Sequence, residues 1–242
     1  MSLKQQVILI TGAGGGLGRM AALTLAKAGA HVILLDKNIA KLEAVYDAIL
    51  AENAPQPIIY PFDLAGANEN DYQELADKIA EEYGSLQGLL HLAVEFSSFT
   101  PMAQLSTKDW GHTLNVNLNA AFLLTRVLLP VMEKSQHASI VFTSDSSARK
   151  SQAYSGAYGV SKIAMEALAK ILAEELESGN KIRVNTLVPG AVDSPLRKRA
   201  YPAEDKAKLP TMDSLAPAYL YLFSAQSIGV TGQIINAPTF HL

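Results

Sequence analysis

The chain of 242 residues contains no cysteine. Disulfide bridges and thiolate-held metal sites are excluded, and the redox character of the compartment leaves no trace. Histidine is sparse: His31, His91, His112, His137 and His241 stand apart, without paired ligand spacing, so no metal site is expected. Charged residues make up 18% and sum to a net charge of −3, with no strong basic run. Nucleic-acid binding therefore has no electrostatic footprint. No apolar run reads as long and charge-free enough to span a membrane. The N-terminus reaches a strand pattern within a few residues, which leaves no room for a signal peptide. The expectation is a soluble, cytoplasmic protein whose partners include neither nucleic acid nor a membrane. Repeats, low-complexity segments and linkers are missing too. Apolar residues, in contrast, reach 49%. That is enough for a sizeable core and against disorder, in a length that suits one domain over 1–242.

Short apolar runs at 7–11, 30–36, 57–62, 88–94, 138–144, 181–188 and 232–237 read as strands. Several are near-continuous Val/Ile/Leu, as strands covered on both faces require. Between them, 18–29, 38–51, 70–83, 107–134, 157–178 and 211–223 carry helical patterns. Strands alternating with helices predict an α/β fold: one Rossmann-type, doubly wound parallel sheet of about seven strands with helices on both faces. The irregular, proline- and charge-bearing stretch 195–210 is either a mobile lid or an ordinary surface excursion. Two helices are apolar on more than one face. One carries Leu114, Val116, Leu118, Phe122, Leu123, Leu124, Val127 and Leu128, the other Ile163, Leu168, Ile171 and Leu172. The sheet covers one side of each; a partner subunit covering the other predicts a homodimer or homotetramer.

The first strand ends in Thr11-Gly12-Ala13-Gly14-Gly15-Gly16-Leu17-Gly18, and a helix pattern starts at once. Glycines permit a tight turn and a close backbone approach, while the helix N-terminus offers N–H donors to a pyrophosphate. Asp36 ends the second strand, where a carboxylate accepts from ribose hydroxyls and repels a 2′-phosphate. NAD is therefore expected over NADP, although the adjacent Lys37 works against that preference. No Gly-Lys-Ser/Thr closes the turn, so it is not a Walker A loop.

Tyr158 and Lys162 lie four apart at the start of a helix pattern and share one face. A lysine ammonium beside a phenol favours the phenolate and lowers the tyrosine pKa from near ~10, making Tyr158 a candidate acid/base. Arg149, Lys150, Arg197, Lys198 and Arg199 read as solvated surface charge.

Taken in order, these residues resemble the short-chain dehydrogenase/reductase family across nearly the whole chain. Its glycine pattern matches at Thr11, Gly12, Gly16 and Gly18, with Leu17 inside it, and its Tyr-x-x-x-Lys element at Tyr158 and Lys162. The resemblance implies an adenine contact at Asp63, a catalytic asparagine at Asn117 holding a relay water, and a cofactor contact at Ala93. It also implies nicotinamide contacts at Pro189, Gly190 and Ser194. Tyr158 would move the proton, and Lys162 would tune it and hold the nicotinamide ribose. Two positions depart from the family pattern. His91-Leu92-Ala93-Val94 replaces Asn-Asn-Ala-Gly, and Asp145 stands where the family's serine polarises the substrate oxygen. Three readings are open there: a protonated Asp145 acting as donor, a shift of the role to Ser144 or Ser146, or loss of activity. The implied function is NAD(H)-dependent hydride transfer between a small-molecule alcohol and its carbonyl. The alternative is an NAD(H)-binding subunit or sensor without turnover.

Overall fold

The computed structural model describes residues 1–240; His241 lies outside them. Seven strands, β1 (Val7–Thr11), β2 (His31–Asp36), β3 (Ile58–Pro61), β4 (Gly88–His91), β5 (Ala138–Thr143), β6 (Ile182–Val188) and β7 (Ile234–Asn236), form one sheet. All neighbours pair in parallel, in the order β3-β2-β1-β4-β5-β6-β7. The helices are α1 (Gly16–Lys27), α2 (Ile39–Ala51), α3 (Glu69–Tyr83), α4 (Thr107–Leu114), α5 (Ala120–Met132), α6 (Ser146–Arg149), α7 (Gly156–Leu176), α8 (Pro195–Ala200) and α9 (Ala216–Phe223).

Strand periodicity divides the apolar residues between two cores. Leu9, Ile33, Leu89, Ile140 and Val184 face α3, α5 and α7. Ile8, Ile10, Leu34, Leu90, Val141 and Leu187 face α1, α2 and α9. This is the expected doubly wound architecture. The capping residues follow their sequence signals: Asn38 accepts from the Lys41 N–H at 3.0 Å, and Asn68 with Asp71 forms a capping box at the start of α3.

Three expectations are corrected. The strand expected to run to 94 stops at His91, because the Leu92 and Ala93 N–H groups leave the ladder for the Thr11 hydroxyl, each at 3.1 Å. The helix expected over 107–134 is α4 and α5 joined by a π-helical turn at Asn115–Asn119. Together they make a continuous run, Thr107–Met132, that by length and composition is apolar enough to cross a membrane, contrary to the sequence reading. Ala120, Leu124, Leu128 and Met132 of that run are buried in the first core. The stretch 195–210, read as a lid or a surface excursion, includes regular structure. It holds α8, and the Arg197 guanidinium pairs with both Glu204 carboxylate oxygens at 2.6 Å.

His91 ends β4 inside the core. Its ring stacks on Phe142 with centroids 4.7 Å apart, and its Nε2 meets the Thr125 hydroxyl at 2.9 Å. Burial, then the Lys162 charge, lowers its pKa from 6.5 to about 3. The unfolded chain therefore binds this proton more readily. The group's contribution to stability is complete above pH 6.5 and is lost as pH falls towards 3. Urea unfolding is expected to show up to ~1.4 kcal/mol lost per pH unit from this residue across that window, a slope that His91→Leu abolishes.

Candidate active site

Strand order reverses between β1 and β4, and a cleft opens at their carboxyl ends. Two adjoining cavities share Leu92, Val94 and Leu196 as common walls.

The first cavity lies over the glycine turn. Gly12 sits at φ +67°, and a Cβ there would come within 2.8 Å of the Ala93 backbone. A Cβ on Gly18 would collide with the Gly12 carbonyl. These two glycines let the turn fold under the start of α1, and Gly16 sits against Pro195 and Met212. Gly15 precedes α1 without a side-chain cap, and the first turn carries no acidic side chain. Gly15 and Gly16 line the cavity, so the uncapped start of α1 borders it, which fits a pyrophosphate. Asp36 borders the turn, where it accepts from the Gly14 N–H at 3.2 Å and the Asn38 N–H at 3.0 Å. Asp63 accepts from the Ala65 N–H at 3.1 Å and lines the same cavity, as do Lys37, Lys41 and Arg199. Thr11 does not face the opening. Its buried hydroxyl is the clamp that holds Leu92 and Ala93 against β1.

The second cavity is lined by Leu17, Val94, Phe96, Phe99, Asp145, Ser146, Tyr158, Lys162, Pro189, Gly190, Ser194 and Tyr201, among others. Asp145 caps α6. Its Oδ1 accepts from the Ser147 N–H at 2.7 Å and the Ser147 hydroxyl at 2.6 Å, and its Oδ2 accepts from the Tyr158 hydroxyl at 2.7 Å. Burial acts to raise the Asp145 carboxyl. The bonds from Ser147 and Tyr158, with the Lys162 charge, outweigh it and hold the carboxyl below its ordinary value. In this arrangement Asp145 accepts hydrogen bonds and donates none, which runs against the protonated-donor reading. Tyr158 moves the other way: burial, then the Asp145 charge and its hydrogen bond, raise the phenol. The sequence expectation of a lowered tyrosine is thus corrected. Lys162 is buried and spends its ammonium on the Thr143 carbonyl at 2.8 Å, with burial lowering it to about 8.

Ser144 is not beside Tyr158 as a donor; its hydroxyl turns to Glu166, whose other oxygen pairs with Arg149 at 3.2 Å. Ser146 is exposed at the start of α6. Asn117, in the π turn, is buried and fully engaged. Its amide oxygen accepts from the Glu95 N–H at 2.6 Å, and its amide nitrogen donates to the Glu95 carbonyl and the Ser161 hydroxyl, each at 3.0 Å. The side chain thus clasps the loop after β4 to α7. Ser194 caps α8 by accepting from the Arg197 N–H at 3.2 Å, beside Pro189 and Gly190.

Sequence reasoning missed the aromatic wall of this cavity. Phe96 packs edge-on against Tyr158 (5.1 Å) and Phe99 (5.2 Å), and Phe99 meets Tyr201 at 5.3 Å. These rings come from two loops and one helix, with no common spacing. The only signal was aromatic residues in otherwise irregular segments.

Residues 6–205 match the family described as short chain dehydrogenase. The oxidoreductase YciK of Escherichia coli is 40% identical over 235 residues, covering 97% of this chain and 92% of the relative. A short chain dehydrogenase structure from Pseudomonas syringae superimposes with a TM-score of 0.94 at 45% identity, covering 97% of this chain and 95% of that one. Another, from Shigella flexneri and complexed with NADP, gives a TM-score of 0.94 at 39% identity over 98% of both chains. The chain belongs to the short-chain dehydrogenase family of oxidoreductases.

Proposed function

We propose that the protein transfers hydride between a nicotinamide dinucleotide and a small-molecule alcohol/carbonyl pair. One observation carries this reading: a single cleft joins Asp36 and the glycine turn at one end to Tyr158, Lys162 and Asp145 at the other. The uncapped start of α1 suits the pyrophosphate, Asp36 the adenosine ribose and Asp63 the adenine side. Lys162, Pro189, Gly190 and Ser194 stand where the nicotinamide half belongs. When bound, the nicotinamide supplies or accepts the hydride; Tyr158 handles the hydroxyl proton.

Asp36 favours NAD(H) over NADP(H) by repelling a 2′-phosphate. Its charge is partly met by two backbone N–H groups, and Lys37 and Lys41 line the same cavity. The NADP bound by the Shigella flexneri relative also weighs against a strict choice. The preference is therefore modest, about tenfold or less. Fluorescence titration is expected to give tighter NADH than NADPH binding, with the difference abolished in Asp36→Ala. Stronger NADPH binding by the parent protein would put the lysines in control, and binding of neither would defeat the proposal. Dinucleotide binding with no turnover on any carbonyl or imine would favour the sensor alternative.

The chain is also proposed to pair through α5 and α7. Phe122 on α5 and Val160, Ile163 and Ile171 along one stripe of α7 are 41–56% exposed, an apolar surface that a second copy would cover. Sedimentation should give a dimer or a dimer of dimers at micromolar concentration, and Ile171→Glu should shift it towards monomer.

A further inference from the structure

The second cavity combines two features that a carbonyl site does not need together. The first is a carboxylate at the reacting end. A carbonyl gaining hydride develops negative charge on oxygen, and the group beside it should donate a hydrogen bond. Asp145 only accepts here: the Ser147 hydroxyl already points its proton at Oδ1 and the Tyr158 hydroxyl at Oδ2. The second feature is the aromatic wall of Phe96, Phe99, Tyr158 and Tyr201. Aromatic faces attract organic cations, and three protein cations already lie over this wall: Arg197 at 3.8 Å from the Tyr201 ring centroid, Arg199 at 5.7 Å from that of Phe96 and Lys162 at 5.9 Å from that of Tyr158. A carboxylate set in an aromatic wall is the recognition chemistry of a flat organic cation.

The other charges around the cavity leave that preference standing. Lys162 is 3% exposed and turned to the Thr143 carbonyl, whereas Asp145 is only half-buried. Arg197 is neutralised by Glu204 through both oxygens. Arg199 is solvent-exposed, with its guanidinium over the Phe96 ring at 5.7 Å from the centroid. The ionic group most open to a ligand at the reacting end is the Asp145 carboxylate.

Resting on the hydride-transfer reading above, we infer that the preferred acceptor is a cyclic imine bound as its protonated iminium, with its ring against the Phe96 and Tyr201 wall and its N–H directed to Asp145. A neutral imine accepts hydride poorly, because an anion would be left on nitrogen. The carboxylate selects the protonated form and raises its share. The new C–H bond takes its electron pair from the reduced nicotinamide, and the C=N π pair becomes the nitrogen lone pair. The positive charge of the substrate ends on the oxidised nicotinamide. The reduction itself consumes no further proton, so a Tyr158 phenol that is hard to ionise and already bonded to Asp145 is no handicap.

The test pairs dihydroisoquinoline with α-tetralone, an imine and a ketone of nearly the same shape, each with NADH and NADPH. The parent protein is expected to show kcat/KM at least about tenfold higher for the imine. Asp145→Asn, close to isosteric and able to keep the α6 cap, should lower the imine value about tenfold or more and leave the ketone value level or raised. A readout independent of turnover is calorimetric binding of the fixed cation N-methyl dihydroisoquinolinium, without nicotinamide present. Its affinity should fall about tenfold in Asp145→Asn, while that of α-tetralone should not. NADH fluorescence and the thermal midpoint establish that the variant is folded, and Asp145→Ser repeats the measurement with a smaller side chain. A ketone used as well as the imine, or cation binding unchanged in both variants, overturns the inference alone. Failure of the parent to bind either dinucleotide overturns the hydride-transfer reading beneath it.

Discussion

Replacing Asp145 with serine is expected to raise kcat/KM for carbonyl reduction by about 10- to 100-fold. The parent site presents a carboxylate where negative charge would develop, and its Oδ2 accepts from the Tyr158 hydroxyl at 2.7 Å. Serine removes the repelling charge and restores a neutral donor. The sign of the accompanying pH effect follows from the same contact. Burial is the largest cause of the raised Tyr158 phenol, and Asp145 adds to it by charge and by hydrogen bond. Removing Asp145 lowers the phenol while burial persists. In alcohol oxidation, where Tyr158 acts as base, the rising limb of the pH–rate profile should therefore move to lower pH in Asp145→Ser. Tyr158→Phe in the same background should erase the gain, because it keeps the ring and removes the proton. Equal carbonyl turnover in Asp145→Ser and the parent would show that position 145 does not control the reaction.

Gly18→Ala should be the most damaging single methyl added to the dinucleotide half. Its Cβ would run into the Gly12 carbonyl oxygen and lie within 2.9 Å of the Ala13 Cα, both backbone atoms in a turn already held by the Thr11 clamp. Nothing flexible is available to yield. The expected cost is roughly 1–3 kcal/mol of stability, seen as a thermal midpoint about 3–10 °C lower. Because the turn must shift to admit the methyl, dinucleotide affinity should fall by about 100-fold or more. Gly111→Ala provides the contrast. That glycine lies within α4 with open space around it, so alanine should stabilise by about 0.5–1 kcal/mol and leave dinucleotide binding unchanged. A Gly18→Ala protein that binds NADH as the parent does would show that the turn tolerates the shift.

The sheet was legible because its signal is local: Val7–Thr11 and the Val32–Leu35 run of β2 are apolar enough to need cover on both faces. The glycine turn and Asp36 were legible for a related reason, since a tight turn between strand and helix restricts residue type position by position. What the sequence could not show was which polar groups would find each other. The family resemblance put Asp145 beside Tyr158, but not that its carboxylate would take the Tyr158 hydroxyl on one oxygen and the Ser147 hydroxyl and N–H on the other. The charge of Lys162 was legible; its diversion to the Thr143 carbonyl was not, because that carbonyl belongs to a strand end nineteen residues earlier. The overextended strand at 92–94 has the same origin: apolar side chains looked like strand, while their N–H groups had a nearer partner in Thr11.

The Thr11 clamp also has a consequence for the order in which the protein is built. The Leu92 N–H meets Thr11 across 81 residues of chain, and β4, which pairs with one edge of β1, follows β2 and β3 in sequence. A nascent or truncated chain ending before β4 would carry the whole glycine turn and Asp36 yet lack the wall formed by Leu92, Ala93 and Val94. Recognition of the dinucleotide thus belongs to the late, non-local stage of folding. Added dinucleotide should accordingly slow unfolding of the finished protein while doing little to hasten its formation.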